Sequence, residues 1–334
     1  MRVLLPISLT RHLRLALKGA LVLLVAHCLS PGANAQSLEP IETVRIDTDL
    51  VNLNVSVVSR DVARTAPALE QKDFAVFENG LPQEISFFAS ADTPFDLVLL
   101  VDLSGSTADK IDLIRKSSRH FVDAARPGDR IAILTFSTEV RAVSMLTNDR
   151  EALKRGIGLI EKPHGGTNLW DAVRFVFDHV LVQSRIENRR SAVVLMTDGI
   201  DNALPDVAGE GSITSFEELM KIVGTADSIV LPIYLDTEKE TIERRQATAQ
   251  TFALARNDLA RLADETGGNV VRRARKVKDL DGIYEQVIRD LSMVYSIGYR
   301  PTERARDGSW RKVSVQLLTH PDLAARSKKG YFAK

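Results

Sequence analysis

Cysteine is almost missing from this chain of 334 residues: Cys28 stands alone, so no internal disulfide can form. A cystine-stapled small module is therefore excluded, and stability has to come from packing. Long apolar runs are scarce as well. The stretch Ala20-Leu21-Val22-Leu23-Leu24-Val25-Ala26 is too short to span a bilayer, which needs about 20 apolar residues. Net charge is absent too, with 44 Lys+Arg balancing 44 Asp+Glu, and nothing in that balance asks for nucleic acid. No internal repeat or low-complexity tract appears, which leaves an ordinary globular composition of 44% hydrophobic and 26% charged residues.

The first 35 residues read as a secretory leader. Arg2, Arg11, Arg14 and Lys18 form a basic segment, Ala20 to Ala26 an apolar one, and Ala33-Asn34-Ala35 an A-x-A cleavage site before Gln36. Cys28 as a lipid-bearing residue is the alternative, but the bulky His27 precedes it where a small residue is wanted. Cleavage after Ala35 removes four basic residues and no acidic ones, so 40 Lys+Arg face 44 Asp+Glu and the net charge becomes −4. The expected location is periplasmic or secreted, and the mature chain then holds no cysteine and no transmembrane helix. Arg272-Arg273-Ala274-Arg275-Lys276-Val277-Lys278 is the one dense basic run. In an exported protein it reads as a solvated strand end and helix start.

Apolar and polar residues alternate over residues 43 to 58, and Asn79-Gly80 sits between Phe74–Phe77 and Ile85–Phe88. Alternation predicts a strand, and Asn-Gly between apolar runs predicts a hairpin, because both residues tolerate positive φ. Residues 36–92 are thus expected to be a small all-β unit, closed by Thr93-Pro94. From Phe95 onward, apolar strands at 95–102, 130–136, 191–196, 229–235 and 269–272 alternate with helices at 110–125, 150–160, 169–182, 216–226, 250–265 and 280–291. Strands that are apolar throughout and separated by helices imply a parallel sheet covered on both faces. Val140 to Leu146 follows Phe136 too closely for a crossover helix, so that strand is expected to be antiparallel. Residues 93–290 therefore predict a doubly wound, mostly parallel α/β domain with one antiparallel edge strand. The segment 291–334 alternates again and is expected to pack with the N-terminal β unit.

Ligands in such a sheet bind beyond the carboxyl ends of the strands. Three oxygen-bearing loops fall there: Asp102-Leu103-Ser104-Gly105-Ser106-Thr107 after the first α/β strand, Gly165-Gly166-Thr167 before a helix, and Thr197-Asp198-Gly199 after a buried strand. None brings imidazole or thiol to the motif positions. Hard oxygen donors suit Mg²⁺, Mn²⁺ or Ca²⁺ rather than copper or zinc. Taken singly, Ser104, Ser106, Thr107 and Thr167 could be helix caps and Asp198-Gly199 a plain turn. Asp201 and Asn202 could extend the third loop or face water, and His164 is a loop histidine that could serve as a base.

Taken together, D-x-S-x-S, T and D resemble the metal-ion-dependent adhesion site of von Willebrand factor type A (VWA) domains. The resemblance places its five metal positions on Asp102, Ser104, Ser106, Thr167 and Asp198 and implies the Rossmann-like VWA fold over about 93–290. It also implies that the hydroxyls touch the metal directly while the aspartates often act through water. The flanks "KDFAVFENGLPQEISFFA" and "YSIGYRPTERARDGSWRKVSVQL", with the terminal "GYFAK", look like the exported VWFA-related proteins best known from Acidobacteria. A non-enzymatic, cation-dependent binding module is expected, serving adhesion or assembly and taking an Asp or Glu side chain from a partner protein. A metal-assisted hydrolase and a purely structural envelope protein are the alternatives.

Overall fold

Residues 50–59, 67–161, 165–187, 189–268, 272–274 and 277–333 are described here from a computed structural model. They fall within one unit, Asp49–Lys334. Its centre is a six-stranded sheet built from β5 (Phe95–Asp102), β6 (Arg130–Phe136), β7 (Val140–Thr147), β8 (Arg190–Thr197), β9 (Ser228–Leu235) and β10 (Arg272–Ala274), in the order β10-β9-β8-β5-β6-β7. The order reverses between β5 and β8, and all pairs are parallel except β6 with β7. All eight residues of β5, β8 and β9 are buried, which is why their sequences run apolar without alternation.

Helices cover both faces. On one lie α1 (Ile111–Ala124), α2 (Arg150–Gly158) and α8 (Val277–Leu291), enclosing Leu97, Leu99, Val194 and Ile233. On the other lie α3 (Leu169–Phe175), α4 (Val182–Ile186), α5 (Phe216–Thr225) and α7 (Ala249–Glu265), enclosing Val98, Leu100, Val193 and Leu195. Each such fully buried Val or Leu contributes roughly 1.5–3 kcal/mol of transfer free energy. Between α3 and α4, Val176–Val180 forms a wider turn in which the Leu181 N–H donates to the Val176 carbonyl at 3.0 Å, so the single helix expected over 169–182 is interrupted. A short helix absent from the sequence reading, α6 (Glu238–Glu243), follows β9.

The chain segments on either side of this domain build two four-stranded antiparallel sheets. One has the order β13 (Leu323–Arg326), β1 (Val51–Ser59), β11 (Val294–Tyr299), β4 (Ile85–Ala89); the other β14 (Gly330–Phe332), β12 (Trp310–Leu317), β2 (Phe74–Glu78), β3 (Leu81–Gln83). Leu53 and Ile297 of the first share a core with Val76 and Val313 of the second. Asn79 (φ 49°) and Gly80 (φ 83°) make the expected tight turn. Its second arm is Leu81–Gln83 rather than Ile85–Phe88, however, because β4 crosses to the other sheet and pairs with β11. Residues 43–49 and 269–271 of the expected strands lie outside the described residues. Among the described residues no helix is long and apolar enough to cross a membrane.

Two arginines of the basic run are held by acids: Arg272 pairs with Asp290, and Arg273 sits 3.0 Å from Asp236.

Candidate metal centre

The three oxygen-bearing loops meet at the carboxyl end of the six-stranded sheet. Asp102 is the last residue of β5, Asp198 follows the end of β8, and Thr167 lies two residues before α3. Main-chain and side-chain hydrogen bonds tie every pair of loops. The Gly105 N–H donates to the Gly165 carbonyl at 3.1 Å, and the Asn202 N–H to the Thr167 carbonyl at 2.9 Å. The Thr197 hydroxyl closes the triangle by donating to Asp102 Oδ2 at 2.7 Å. The Thr197 oxygen also accepts from the Gly199 N–H at 2.9 Å, while its single proton goes to the carboxylate.

Both aspartates are fully buried and engaged through both oxygens. Asp102 Oδ1 accepts from the Ser104 N–H at 2.8 Å. Asp198 Oδ1 accepts from the Ile200 N–H at 3.1 Å and Oδ2 from the Thr237 hydroxyl at 2.7 Å. Burial, with the charge of Asp198 adding to it, pushes the Asp102 carboxyl up to about 7 against hydrogen bonds that pull it down. Two buried like charges held in a fixed frame are the condition a divalent cation relieves.

The helix-cap alternative separates by residue. Ser104 occupies the cap position of the short 3-10 turn Gly105–Lys110 but makes no side-chain cap bond; its hydroxyl bonds Asp102 instead. The Thr107 hydroxyl turns back to the carbonyls of Asp102 (3.2 Å) and Ser104 (2.9 Å), a local fastening of the loop. Ser106 lies in the same turn and its side chain is outside the described residues, as is His164. Thr167 and Ser104 are 4% and 2% exposed, so their oxygens belong to a sheltered floor rather than to bulk water. Among the described residues no three His, Cys, Asp or Glu side chains form a metal-holding group, so any cation here depends on hydroxyl donors.

Sequence reasoning missed the residues that hold this floor. Asp201 does not face water: it is fully buried and accepts from the N–H groups of Trp170, Ala203 and Ser212 and from the Ser212 hydroxyl. Asn202 Oδ1 accepts from the Thr167 N–H at 2.9 Å, while its Nδ2 donates to the Ala208 carbonyl at 2.8 Å. A Cβ at Gly166 would meet that Nδ2 at 2.6 Å, which explains the glycine by close approach. Gly199 (φ +80°) is needed twice over, since a Cβ there would also meet Leu259 Cδ1 at 2.9 Å. The hydroxyls of Thr197 and Thr237 left one legible trace: both follow apolar runs at the carboxyl ends of adjacent parallel strands.

Residues 96–215 match the family model of the von Willebrand factor type A domain. The VWA match thus covers this part of the chain, and the site just described lies at the usual ligand-bearing end of an open α/β sheet. Among solved structures it is similar to proximal thread matrix protein 1 from the mussel byssus, determined with a zinc-occupied MIDAS motif: 18% identity over 60% of this chain and 48% of that one, TM-score 0.46. It is also similar to the conserved hypothetical protein BatB from Bacteroides thetaiotaomicron (14% identity, 59% of this chain and 98% of that one, TM-score 0.43). A third is the vWF domain of the type V pili tip protein Mfa5 from Porphyromonas gingivalis (16% identity, 58% and 95%, TM-score 0.41). The chain spans about half the length of the mussel protein, 48% in that alignment.

Proposed function

We propose that this chain is an exported, divalent-cation-dependent protein-binding module in which Asp102, Ser104, Ser106, Thr167 and Asp198 hold the cation. The observation that supports it most is the pair of fully buried carboxylates, Asp102 and Asp198, the first raised by burial and by the charge of the second, and the two framed by the hydroxyls of Ser104, Thr197 and Thr237. Neutral serine and threonine oxygens neutralise little of a divalent charge. Bound there, Mg²⁺, or Mn²⁺ or Ca²⁺ in its place, supplies an electrophilic position that an Asp or Glu of a partner protein fills better than water does.

The layout belonging to this reading is a leader over 1–35 cleaved after Ala35, an N-terminal β unit over 36–92, the VWA domain over 93–290 and a C-terminal β segment over 291–334. The resemblance of its flanks to those of the exported VWFA-related group best known from Acidobacteria supports this reading. An intact mass beginning at Gln36, in protein recovered from the periplasm or medium, tests the export.

Isothermal titration with Mg²⁺ and Mn²⁺ tests the site. Asp102→Ala and Asp198→Ala are expected to abolish binding while circular dichroism shows the sheet retained. Undiminished binding in either variant overturns the assignment. Capture from native extracts, with and without EDTA, tests the role: a partner retained equally by wild type and Asp198→Ala in EDTA refutes metal-mediated recognition.

A further inference from the structure

Thr237 stands where a helix-capping residue belongs, immediately before α6, and its side chain makes no cap hydrogen bond. A threonine in that position ordinarily satisfies an orphan N–H of its own helix. Here the hydroxyl is turned away from the helix and donates to Asp198 Oδ2 at 2.7 Å, in a position only 1% exposed. The main chain leaves it little freedom. The Asp236 N–H donates to the Ala274 carbonyl at 2.9 Å, Lys110 Nζ reaches the Asp236 carbonyl at 2.8 Å, and the Thr241 N–H donates to the Thr237 carbonyl at 3.0 Å. Lys110 closes the turn that begins at Gly105, so the loop bearing Asp102 is clamped to the corner bearing Thr237.

We infer that Thr237 is a positioning residue that holds the Asp198 carboxylate back from the cation and so keeps a coordination position open for an acidic ligand. The inference rests on the metal-site reading above. A proton donated by Thr237 draws charge from Oδ2 and fixes the plane of the carboxylate. Without that donor, the buried Oδ2 loses a hydrogen bond and regains an interaction by swinging onto the nearest cation. Such a swing adds a negative ligand, displaces a water and makes the ion a poorer acceptor for a second carboxylate.

Mn²⁺ and acetate serve as probes, with water-proton relaxation per bound Mn²⁺ reporting the ion's inner-sphere water and acetate reporting the open position. Thr237→Val keeps the side-chain shape and removes only the donor. It is expected to bind Mn²⁺, to show lower relaxation per bound ion, and to weaken acetate by about tenfold. Thr237→Ser, which restores the hydroxyl, is expected to return both readouts to wild-type values, a rescue that mere packing would not give. Thr237→Ala replaces the valine variant if that one does not fold. Wild-type relaxation and acetate affinity in the donor-less variant overturn the inference, and so does complete loss of Mn²⁺ binding. Failure of the wild-type protein to bind Mn²⁺ is a separate outcome that overturns the site reading itself.

Discussion

Asn202 shows how much of a metal floor can depend on a side chain that is not a ligand. Its amide oxygen holds the Thr167 N–H, its own N–H holds the Thr167 carbonyl, and its amide nitrogen holds Ala208. Thr167 is thereby gripped through both of the peptide groups that flank its Cα. Asn202→Ala is expected to weaken cation affinity by roughly ten- to a hundredfold while costing about 1 kcal/mol in stability. Titration calorimetry beside a urea melt separates the two effects, and an unchanged affinity would mean that Thr167 holds its place unaided. The three oxygen-bearing loops themselves were legible as polar ends to apolar strands and a glycine-rich helix start, and the fold brings them together. Their supports were not. Asn202 is 35 residues from Thr167 and Thr237 is 39 from Asp198, so only the fold creates those pairs.

At the scale of elements, the start of β5 is fastened by a charged cluster at the opposite end of the sheet from the candidate site. Burial would raise the Asp96 carboxyl, but Arg130 grips both its oxygens (2.8 and 2.6 Å) and Arg189 adds a third contact (2.8 Å), so it lies below the usual carboxylate range. A group whose folded pKa is depressed stabilises the fold above its unfolded value, about 3.9, and loses that contribution as pH falls through the folded value. Asp96→Asn is therefore expected to cost about 3 kcal/mol at pH 7, with the gap to wild type closing below pH 4. Urea midpoints between pH 3 and 7 check it; a gap constant across that range would show the cluster contributes no charge-dependent stability.

The elements that sequence pattern recovered are those with a strong period: β5, β8 and β9 as continuous apolar runs, and α1, α5, α7 and α8 as striped helices. The helix α6 escaped because Glu238-Lys239-Glu240-Thr241-Ile242-Glu243 has no apolar stripe to read. The crossing of β4 escaped because alternation reports which face is buried and says nothing of which sheet a strand joins.

Across the whole molecule, the two antiparallel sheets and the α/β domain are joined by buried polar contacts. Arg190, at the start of β8, donates to the Val294 carbonyl (2.5 Å) and the Ala91 carbonyl (3.0 Å), and Ser56 of β1 donates to the Gly267 carbonyl (3.0 Å). Within the β region, Glu78 accepts from Tyr299 (2.7 Å), Tyr331 (2.9 Å) and Arg311 (3.3 Å), so one buried carboxylate links β2, β11, β12 and β14. These ties predict one unfolding transition, with calorimetric and van't Hoff enthalpies equal. Glu78→Ala, which leaves Arg311 buried with fewer partners, is expected to lower stability by about 3 kcal/mol without splitting the transition. Two resolved transitions would show that the β region and the VWA domain unfold separately.

The weaving of both flanks into the same pair of sheets also has a mechanical meaning. A pull applied through the segments before Val51 and after Phe332 reaches β1 and β14 first, while the VWA domain sits in a loop of chain whose two ends are fastened by β11 against β1 and β4 and by β12 against β2. Tension must break those antiparallel ladders before it can stretch β5 or disturb the loops that carry Asp102 and Asp198. A load applied at the two flanks is thus taken up by the antiparallel sheets, and the loops that carry Asp102 and Asp198 are sheltered from it.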